Sequence, residues 1–495
     1  MITDKQEALE GIRANNIWLG YCSYELRNDK EVVLAAVKEN GFELEYASDE
    51  LRNDKEVVIA AVEEDGEALE YASAELRNDK DVVLTAVKKD FIALQYASDE
   101  LLDNKDFIMM AVKMQGYALK FASERLQGDK DVVMNAISSR GQAIEYASEE
   151  LKSDKEVVMA AVKRSGYALK YIPEKLRENR DIVLAAITKN GPALNYAYIK
   201  LRNDRDIVMT AVKENGDAIK YASEKLKKDK NIVIEAVLNS GLTLQYVPEK
   251  FQDDKDVVMK AIKQNAFSFE YASERLRNDK EVVMAAVSKR GWTIKYASEE
   301  LRHDKEVVLA AVGHDGYALQ LAPQKLRNDK DVALAAARED GYALEYVSDE
   351  LRGDRDVVLT AVKNNGEALA FASEKLRRDK EFVIETVSHD GWALEYVSKE
   401  LRDDKDVVMA AVKQNGYALE FASDRLRGDR EVVMAAISTR PNALDFASEK
   451  LKDEFAQFAI STEGNNPEPQ VVSVEDDEKE QAKNTSKSKS DNEER

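Results

Sequence analysis

Residues 46–70 read YASDELRNDKEVVIAAVEEDGEALE, and Tyr71 begins the same phrase again. The period is 25 residues, without insertion or deletion from Asp4 to Leu451. One column of this repeat is aromatic from Tyr21 to Phe446, and Leu321 is its one non-aromatic member. Such self-similarity is typical of arrays in which each unit buries its apolar side against its neighbours. The sequence therefore predicts an all-α fold, an α-solenoid of about eighteen 25-residue repeats.

Two columns predict the limits of a main helix, helix A. The column of Asp54 holds only Asp and Asn, whose side chains cap helix N-termini. The column of Gly66 is glycine in fourteen of seventeen copies, and glycine just past a helix accepts the left-handed conformation that ends it. Helix A is therefore expected over KEVVIAAVEED, with its mostly apolar surface covered by neighbouring repeats.

Prolines predict a second break in each repeat. Pro192 and Pro441 stand at the start of the segment ALEYA, where a first-turn proline is tolerated. Pro173, Pro248 and Pro323 replace the serine of YAS, and a proline there moves the preceding residue out of helical geometry. ALEYA is therefore expected to be one short helical segment, B, and SDELR a separate turn of helix, C.

These phrases resemble a known repeat family. LRNDKEVVLAAVKENG at residues 26–41 and GYALEY at residues 341–346 are similar to the family of domain of unknown function 4116, over about Asp4 to Leu451. The resemblance implies a helical repeat with no assigned activity and no catalytic residues. A weaker similarity to leucine-rich-variant repeats implies alternating α and 3₁₀ helices in a right-handed superhelix. The chain lacks their cysteine cluster, so no iron–sulfur site follows.

The ends of the chain depart from the repeat. We expect a continuous array over residues 1–460 with atypical end copies, the last being a truncated helix A, DEFAQFAI, at residues 453–460. Residues 461–495 contain no aromatic residue and little apolar content. They are therefore predicted to form a disordered, acidic and highly charged tail.

Composition restricts the classes of partner and compartment. The net charge of −22 disfavours nucleic acid, because an acidic surface repels phosphates. No apolar run approaches the roughly 20 residues of a membrane span, and the start, MITDKQEALEGI, does not resemble a signal peptide. With a single cysteine, Cys22, no intrachain disulfide forms. We expect a cytoplasmic monomer that does not bind membranes, and export by a non-classical route stays open.

Catalytic and metal-binding residues are not indicated. His303, His314 and His389 occupy variable columns with no repeated spacing, and Cys22 replaces a small alanine, which predicts a buried and inert thiol. No cofactor, metal site or enzyme activity is therefore expected. Eight of the eleven methionines share the column of Ile59 with leucine and isoleucine, which favours core filling over a binding stripe.

The charged columns have two interpretations. The column of Lys55 is Lys or Arg in all eighteen copies, and Asp54 and Glu56 supply acids beside it. Parallel ladders of opposite charge brace neighbouring repeats in the first interpretation. In the second they form a basic strip that receives an acidic partner segment.

The column just after Gly66 varies most. It holds Trp in some copies and Asp in another, so it is expected to be partly exposed, and its aromatic residues are of the kind interfaces prefer. Glu367, in the same column, is expected to contribute little. Loose packing over neighbouring loops is the alternative interpretation of the aromatic members. The candidate partner-binding residues are Phe267, Trp292, Tyr317, Tyr342, Trp392 and Tyr417.

These observations favour a non-enzymatic scaffold that binds a protein or peptide along an extended surface. A purely structural spacer without a dedicated ligand is the alternative, and an enzyme is the third hypothesis. The sequence does not identify the partner.

Overall fold

The computed structural model describes residues 1–14 and 16–462, with side chains as far as Phe455. It divides into two compact units, Met1–Ala310 and Ala311–Arg495, and both are built from the 25-residue repeat. The described residues form α and 3₁₀ helices and no named strand, so the predicted all-α solenoid is confirmed. Each repeat contains helix A, the 3₁₀ helix B and the single-turn helix C.

Helix A begins where the sequence predicts. Asp54 has extended backbone angles, and its Oδ1 accepts the N–H groups of Glu56 at 3.0 Å and Val57 at 3.2 Å. Val57, Val58 and the equivalent residues from Val32 to Val433 are fully buried between neighbouring helices. The A helices are Lys5–Arg13, Lys30–Glu39, Lys55–Glu64, Lys80–Lys89, Lys105–Met114, Lys130–Ser139, Lys155–Arg164, Arg180–Lys189, Arg205–Glu214, Lys230–Asn239, Lys255–Gln264, Lys280–Val287, Lys305–Val312, Lys330–Glu339, Arg355–Asn364, Lys380–His389, Lys405–Gln414 and Arg430–Thr439.

The predicted role of the repeated glycine as a left-handed cap is wrong. Helix A of this copy stops at Glu64, Asp65 is extended with φ −139° and ψ 112°, and Gly66 already belongs to helix B. Gly66 and the equivalent glycines from Gly41 to Gly241 and from Gly316 to Gly416 do not have a left-handed backbone. A Cβ at Gly66 would instead lie 2.7 Å from the carbonyl oxygen of Ala86, in helix A of the next repeat. The glycine is therefore required by close approach of two repeats.

Helix B is a 3₁₀ helix, as the weaker family similarity implies. Asp65 Oδ1 accepts the N–H of Glu67 at 3.1 Å at its start, and Leu69 is buried beneath it. Pro192 and Pro441 lie in its first turn, as predicted. The B helices are Leu19–Tyr21, Gly41–Tyr46, Gly66–Tyr71, Phe91–Tyr96, Gly116–Phe121, Gly141–Tyr146, Gly166–Tyr171, Gly191–Tyr196, Gly216–Tyr221, Gly241–Tyr246, Ala266–Tyr271, Gly291–Tyr296, Gly316–Leu321, Gly341–Tyr346, Gly366–Phe371, Gly391–Tyr396, Gly416–Phe421 and Pro441–Phe446.

Helix C is a single turn, separated from helix B by extended residues. Where helix C is an α-helical turn, its N-cap is a serine, as at Ser298, whose Oγ accepts the N–H of Leu301 at 3.2 Å, or one of the three predicted prolines, such as Pro173. The α-helical turns are Tyr24–Arg27, Asp99–Leu102, Glu124–Gln127, Glu149–Lys152, Glu174–Arg177, Glu249–Gln252, Glu274–Arg277, Glu299–Arg302, Gln324–Arg327, Glu374–Arg377, Lys399–Arg402 and Asp424–Arg427. The 3₁₀ turns are Leu51–Asn53, Leu76–Asn78, Leu201–Asn203, Leu226–Lys228 and Leu351–Gly353.

Within each unit the repeats stack in layers. Helix A packs against helix A of the next repeat, and helix B packs against the next helix B. Backbone hydrogen bonds link successive C helices, as from the N–H of Ser73 to the carbonyl of Arg52 at 2.9 Å. The layered packing buries helix A on most sides and leaves one side of each B helix at the surface.

Both ends of the described array depart from the repeat. At the start, the N–H of Ser23 donates to the carbonyl oxygen of Ile2 at 2.7 Å. In most other copies the acceptor is the carbonyl of an arginine in the preceding helix C. At the other end, Glu449–Thr462 is one continuous helix, so the predicted separate helix at residues 453–460 is wrong. Glu454 stands there in place of the short Asp or Asn cap, and the break between helices C and A is lost. The predicted tail lies outside the described residues from position 463 onward.

Candidate functional site

The six predicted partner-binding residues all lie at the second position of a B helix. Phe267 and Trp292 belong to the first unit, and the other four belong to the second unit. Trp392 is 40% exposed, and the remaining five are half-buried. The column is therefore partly exposed, which explains how it accommodates both tryptophan and charged residues.

In the second unit the four rings make aromatic contacts with the next repeat. Each packs edge-on against the aromatic residue that ends the B helix of the next repeat. The ring centroids are 5.6 Å apart for Tyr317 and Tyr346, 6.4 Å for Tyr342 and Phe371, 5.7 Å for Trp392 and Phe421, and 6.2 Å for Tyr417 and Phe446. We call Tyr317, Tyr342, Trp392 and Tyr417 the first row, and Tyr346, Phe371, Tyr396, Phe421 and Phe446 the second row.

The second row was missed as a candidate surface. From the sequence this column is identified as aromatic but not as a surface, and its members are half-buried and share the surface with the first row. One signal was present: the column is tyrosine in most copies, and a tyrosine hydroxyl favours a ring with one edge in water. The two rows together form the B-helix face of the second unit.

Glu367 is not a neutral member of the first-row column. The Tyr342 hydroxyl donates a hydrogen bond to the Glu367 carboxylate. Burial, together with this hydrogen bond, raises the pKa of Tyr342 above its ordinary value. Glu367 is therefore part of the surface.

Carboxylates surround the second row. Glu345, Glu395 and Glu420 are exposed and directly precede Tyr346, Tyr396 and Phe421, the last residues of their B helices. Burial and the nearby charges of Glu395 and Glu367 raise the pKa of Tyr396 to about 12. Burial and Glu345 likewise raise the pKa of Tyr346. Both tyrosine hydroxyls are thus partly buried and lie near carboxylates.

The first unit is mixed at the same repeat position, with glutamate in four copies and lysine in four others. Lys120, Lys170, Lys220 and Lys295 stand where the second unit has these glutamates. Their ammonium groups lie over the next ring in the chain, 5.1 Å from the centroids of Phe121, Tyr171 and Tyr221 and 4.8 Å from that of Tyr296. These distances lie within the range of cation–π attraction. The end of a B helix thus accepts a cation on its ring.

Most basic residues of the ladder on the A helices form ion pairs with the next repeat. Lys30 Nζ lies 2.8 Å from Asp54 and 2.7 Å from Glu56, both in the next repeat. Pairs of the same kind recur along the chain, as at Lys255 with Asp279 at 2.7 Å and Lys405 with Asp429 at 2.9 Å. This geometry favours the bracing interpretation over a basic strip for an acidic partner.

The methionine column is not core. Met109 and Met409 are half-buried, and Met434 is 47% exposed, whereas the two apolar residues before each of them in helix A are fully buried. The column therefore runs along the outer side of the A helices, where Met409 and Ile384 line a shallow depression. The expectation of core filling is wrong, because the neighbouring A helices cover only part of this position.

The remaining candidates are isolated. Cys22 is buried, and burial raises the pKa of its thiol, which makes it a poor nucleophile. His303, His314 and His389 are exposed. Within the described ranges no three His, Cys, Asp or Glu side chains are grouped closely enough to hold a metal ion. In the same part of the chain, no helix combines the length and apolar character needed to cross a membrane.

The repeat region is similar to a known protein family. No curated protein matches the chain significantly. The model of a family described as Domain of unknown function (DUF4116) matches it in tandem, each match spanning two repeats. The matched residues are 4–52, 54–102, 79–127, 104–152, 129–177, 154–202, 179–227, 204–252, 229–276, 254–302, 304–352, 354–402 and 404–452. With nearly the whole repeat region matched, the chain belongs to the DUF4116 family.

Proposed function

We propose that this protein is a non-enzymatic repeat scaffold that binds a protein or peptide partner along its B-helix face. The observation that carries the proposal is the pair of half-exposed aromatic rows of the second unit, in which each first-row ring contacts a second-row ring of the next repeat. Aromatic side chains that keep part of their surface in water are the residues that dominate protein interfaces.

The repetition of the surface supports a binding role over catalysis. An active site needs a few groups whose surroundings differ from those of their neighbours. On this face rings recur at the same two positions of the repeat, with Glu367 in place of a first-row ring in one copy. An array of equivalent shallow positions suits an extended ligand that makes the same contact several times.

The test begins with Trp392, the most exposed of the six predicted residues. The partner is captured on the full-length protein, identified, purified and titrated by calorimetry. We expect Trp392→Ala to raise the Kd more than about 5-fold, a loss of over 1 kcal/mol, because the change removes a ring from the centre of the surface. The thermal unfolding midpoint is measured in parallel to show that the variant is folded.

Met409→Ala is the matched control, because it removes a half-buried apolar side chain from the A-helix surface. An unchanged Kd for Met409→Ala is expected. If Met409→Ala weakens binding and Trp392→Ala does not, the partner binds the A helices and the proposed face is wrong. If the full-length protein captures no partner and the aromatic contacts change only stability, the spacer hypothesis replaces this proposal.

A further inference from the structure

The residue directly before each second-row ring determines whether a cation, a carboxylate or a neutral group lies beside that ring. In the first unit this position is mixed, and where it is lysine the ammonium group covers the ring, as for Lys170 over Tyr171 at 5.1 Å. In the second unit the position holds Gln320, Glu345, Ala370, Glu395, Glu420 and Asp445, and no lysine or arginine. The rings of the second unit therefore have a carboxylate or a neutral group at the position where four copies of the first unit place a lysine over the ring.

We propose that the B-helix face of the second unit binds a basic segment of a partner protein, with arginine or lysine heads on the second-row rings and paired with Glu345, Glu395 and Glu420. This inference rests on the proposed function and adds the chemistry of the partner. A cation above the ring of Tyr396 would gain attraction from the π face and from the adjacent Glu395 carboxylate. The first-unit lysines show that the backbone of a B helix places a cation well over such a ring.

The arginines near this face donate hydrogen bonds to backbone carbonyls of the array. Arg352 donates from Nη2 to the backbone carbonyl of Glu345, and Arg427 donates from Nε to the carbonyl of Phe446 at 2.7 Å. At the last full repeat Arg440 lies 5.8 Å from the ring centroid of Tyr417. The chain thus supplies its own cation at that end, and the proposed surface lies between Tyr346 and Phe421.

The glutamates of this face disfavour acidic peptides and nucleic acids as extended ligands. An acidic peptide or a nucleic acid would bring negative groups to Glu345, Glu367 and Glu395, and like charges at close range repel. Packed helices are about 8–10 Å apart, and an extended chain advances about 3.3 Å per residue. A basic residue at every third position would therefore keep step with successive repeats.

The test uses the full chain and a labelled peptide of about 18 residues with arginine at every third position and glycine and serine between. A second peptide carries glutamine in place of arginine. Binding is followed by fluorescence anisotropy. We expect the arginine peptide to bind at least about 10-fold more tightly than the glutamine peptide, with an affinity that falls as salt is added.

Two variants locate the site. The double variant Glu345→Gln/Glu395→Gln is expected to weaken arginine-peptide binding at least about 10-fold. Glu395→Lys is expected to weaken it further, because the new ammonium group occupies the Tyr396 ring as Lys170 occupies Tyr171. The control is Glu381→Gln/Glu385→Gln, which makes the same charge change at exposed positions of helix A and is expected to change the Kd less than about 2-fold.

The outcomes separate the two proposals. Equal binding of both peptides, lost in Trp392→Ala, would leave the aromatic face as a binding surface and overturn the basic partner. Equal weakening by both double variants would show an effect of net charge alone and would also overturn it. Failure of the arginine peptide to bind the full chain at low salt would likewise overturn the basic partner, while the captured-partner titration still tests the face.

Discussion

At the scale of single residues, the repeated glycine shows how one repeat restricts the next. This position does not need an unusual backbone angle. Glycine is found there because a Cβ would have too little space. A Cβ at Gly341 would lie 2.6 Å from the carbonyl oxygen of Ala361, in the following A helix. Phe91, Ala266 and Pro441 show that a side chain can be accommodated at this position in three copies. The requirement therefore belongs to the contact between two repeats.

Gly341→Ala tests this contact. Because the added methyl group meets backbone, the two repeats must separate slightly, and we expect a loss of about 1–3 kcal/mol in local stability. Hydrogen exchange of the helices Gly341–Tyr346 and Arg355–Asn364 measures the change. The control is Gly353→Ala, where the nearest atom to a new Cβ is Ser373 Oγ at 3.5 Å. Equal effects of the two substitutions would show that backbone freedom, and not space, selects glycine.

At the scale of helices, the aspartate at the start of helix A has two functions. Asp204 Oδ1 accepts the N–H groups of Asp206 at 3.0 Å and Ile207 at 3.1 Å, and so caps its own helix. Its carboxylate also lies 3.6 Å from Arg180 of the preceding repeat. An asparagine, as at positions 104 and 179, keeps the first function and loses the charge of the second.

Two substitutions at Asp204 separate these functions. Asp204→Ala removes the cap, and we expect it to cost about 0.5–2 kcal/mol, whereas Asp204→Asn should cost much less. Hydrogen exchange should quicken in helix Arg205–Glu214 and its immediate neighbours, because coupling in a repeat array is local. Equal costs for alanine and asparagine would mean that the ion pair, and not the cap, holds this helix end.

The starts of the helices could be predicted from the sequence because each depends on one local residue. Asp54 and Pro173 act on the backbone beside them, so their columns are sufficient evidence. The role of Gly66 could not be predicted, because the atom that restricts it is 20 residues away, in Ala86. The continuous last helix follows from Glu454, and comparing that residue with the Asp column would have predicted it.

The candidate site could be predicted only in part, because some of its features depend on contacts between different repeats. Variation in one column showed that its residues are partly exposed. The second row was hidden because the contact between Trp392 and Phe421 joins residues of different repeats and depends on how B helices stack. The position of the methionine column required knowledge of how much of each A helix its neighbours cover.

At the scale of the whole molecule, the ion pairs along the A helices make folding depend on acidity. Hydrogen bonding to Lys255 lowers the pKa of Asp279 against an opposing effect of burial, and Lys280 does the same for Asp304. A group with a lowered pKa binds fewer protons when folded than when unfolded. Its contribution to stability is therefore complete above the ordinary value of 3.8 and disappears as the pH falls through the lower, folded value.

We expect the unfolding midpoint of the full chain to change little from neutral pH to about pH 5 and to fall below about pH 4, as the aspartates of many repeats become protonated. Circular dichroism at a series of pH values measures the midpoint. Protonation also reduces the net charge of −22 and relieves repulsion, which acts in the opposite direction. The variant Asp279→Asn/Asp304→Asn isolates the ion pairs, and it should show a smaller fall. An equal fall in the variant would assign the acid sensitivity to other carboxylates.

The hydrogen bonds that join successive C helices have a consequence for the history of the gene. The Ser73 to Arg52 bond joins residues 21 apart, the Lys30 to Asp54 pair joins residues 24 apart, and the ring contact of Tyr342 with Phe371 joins residues 29 apart. Because equivalent contacts recur with the 25-residue period, duplication or loss of one whole copy leaves each remaining group facing an equivalent partner. A shift by any other number of codons would misalign all three kinds of contact at once. The number of repeats can therefore change by unequal crossing-over, whereas the length of each repeat stays at 25 residues. This accounts for a chain of many copies without one insertion between Asp4 and Leu451.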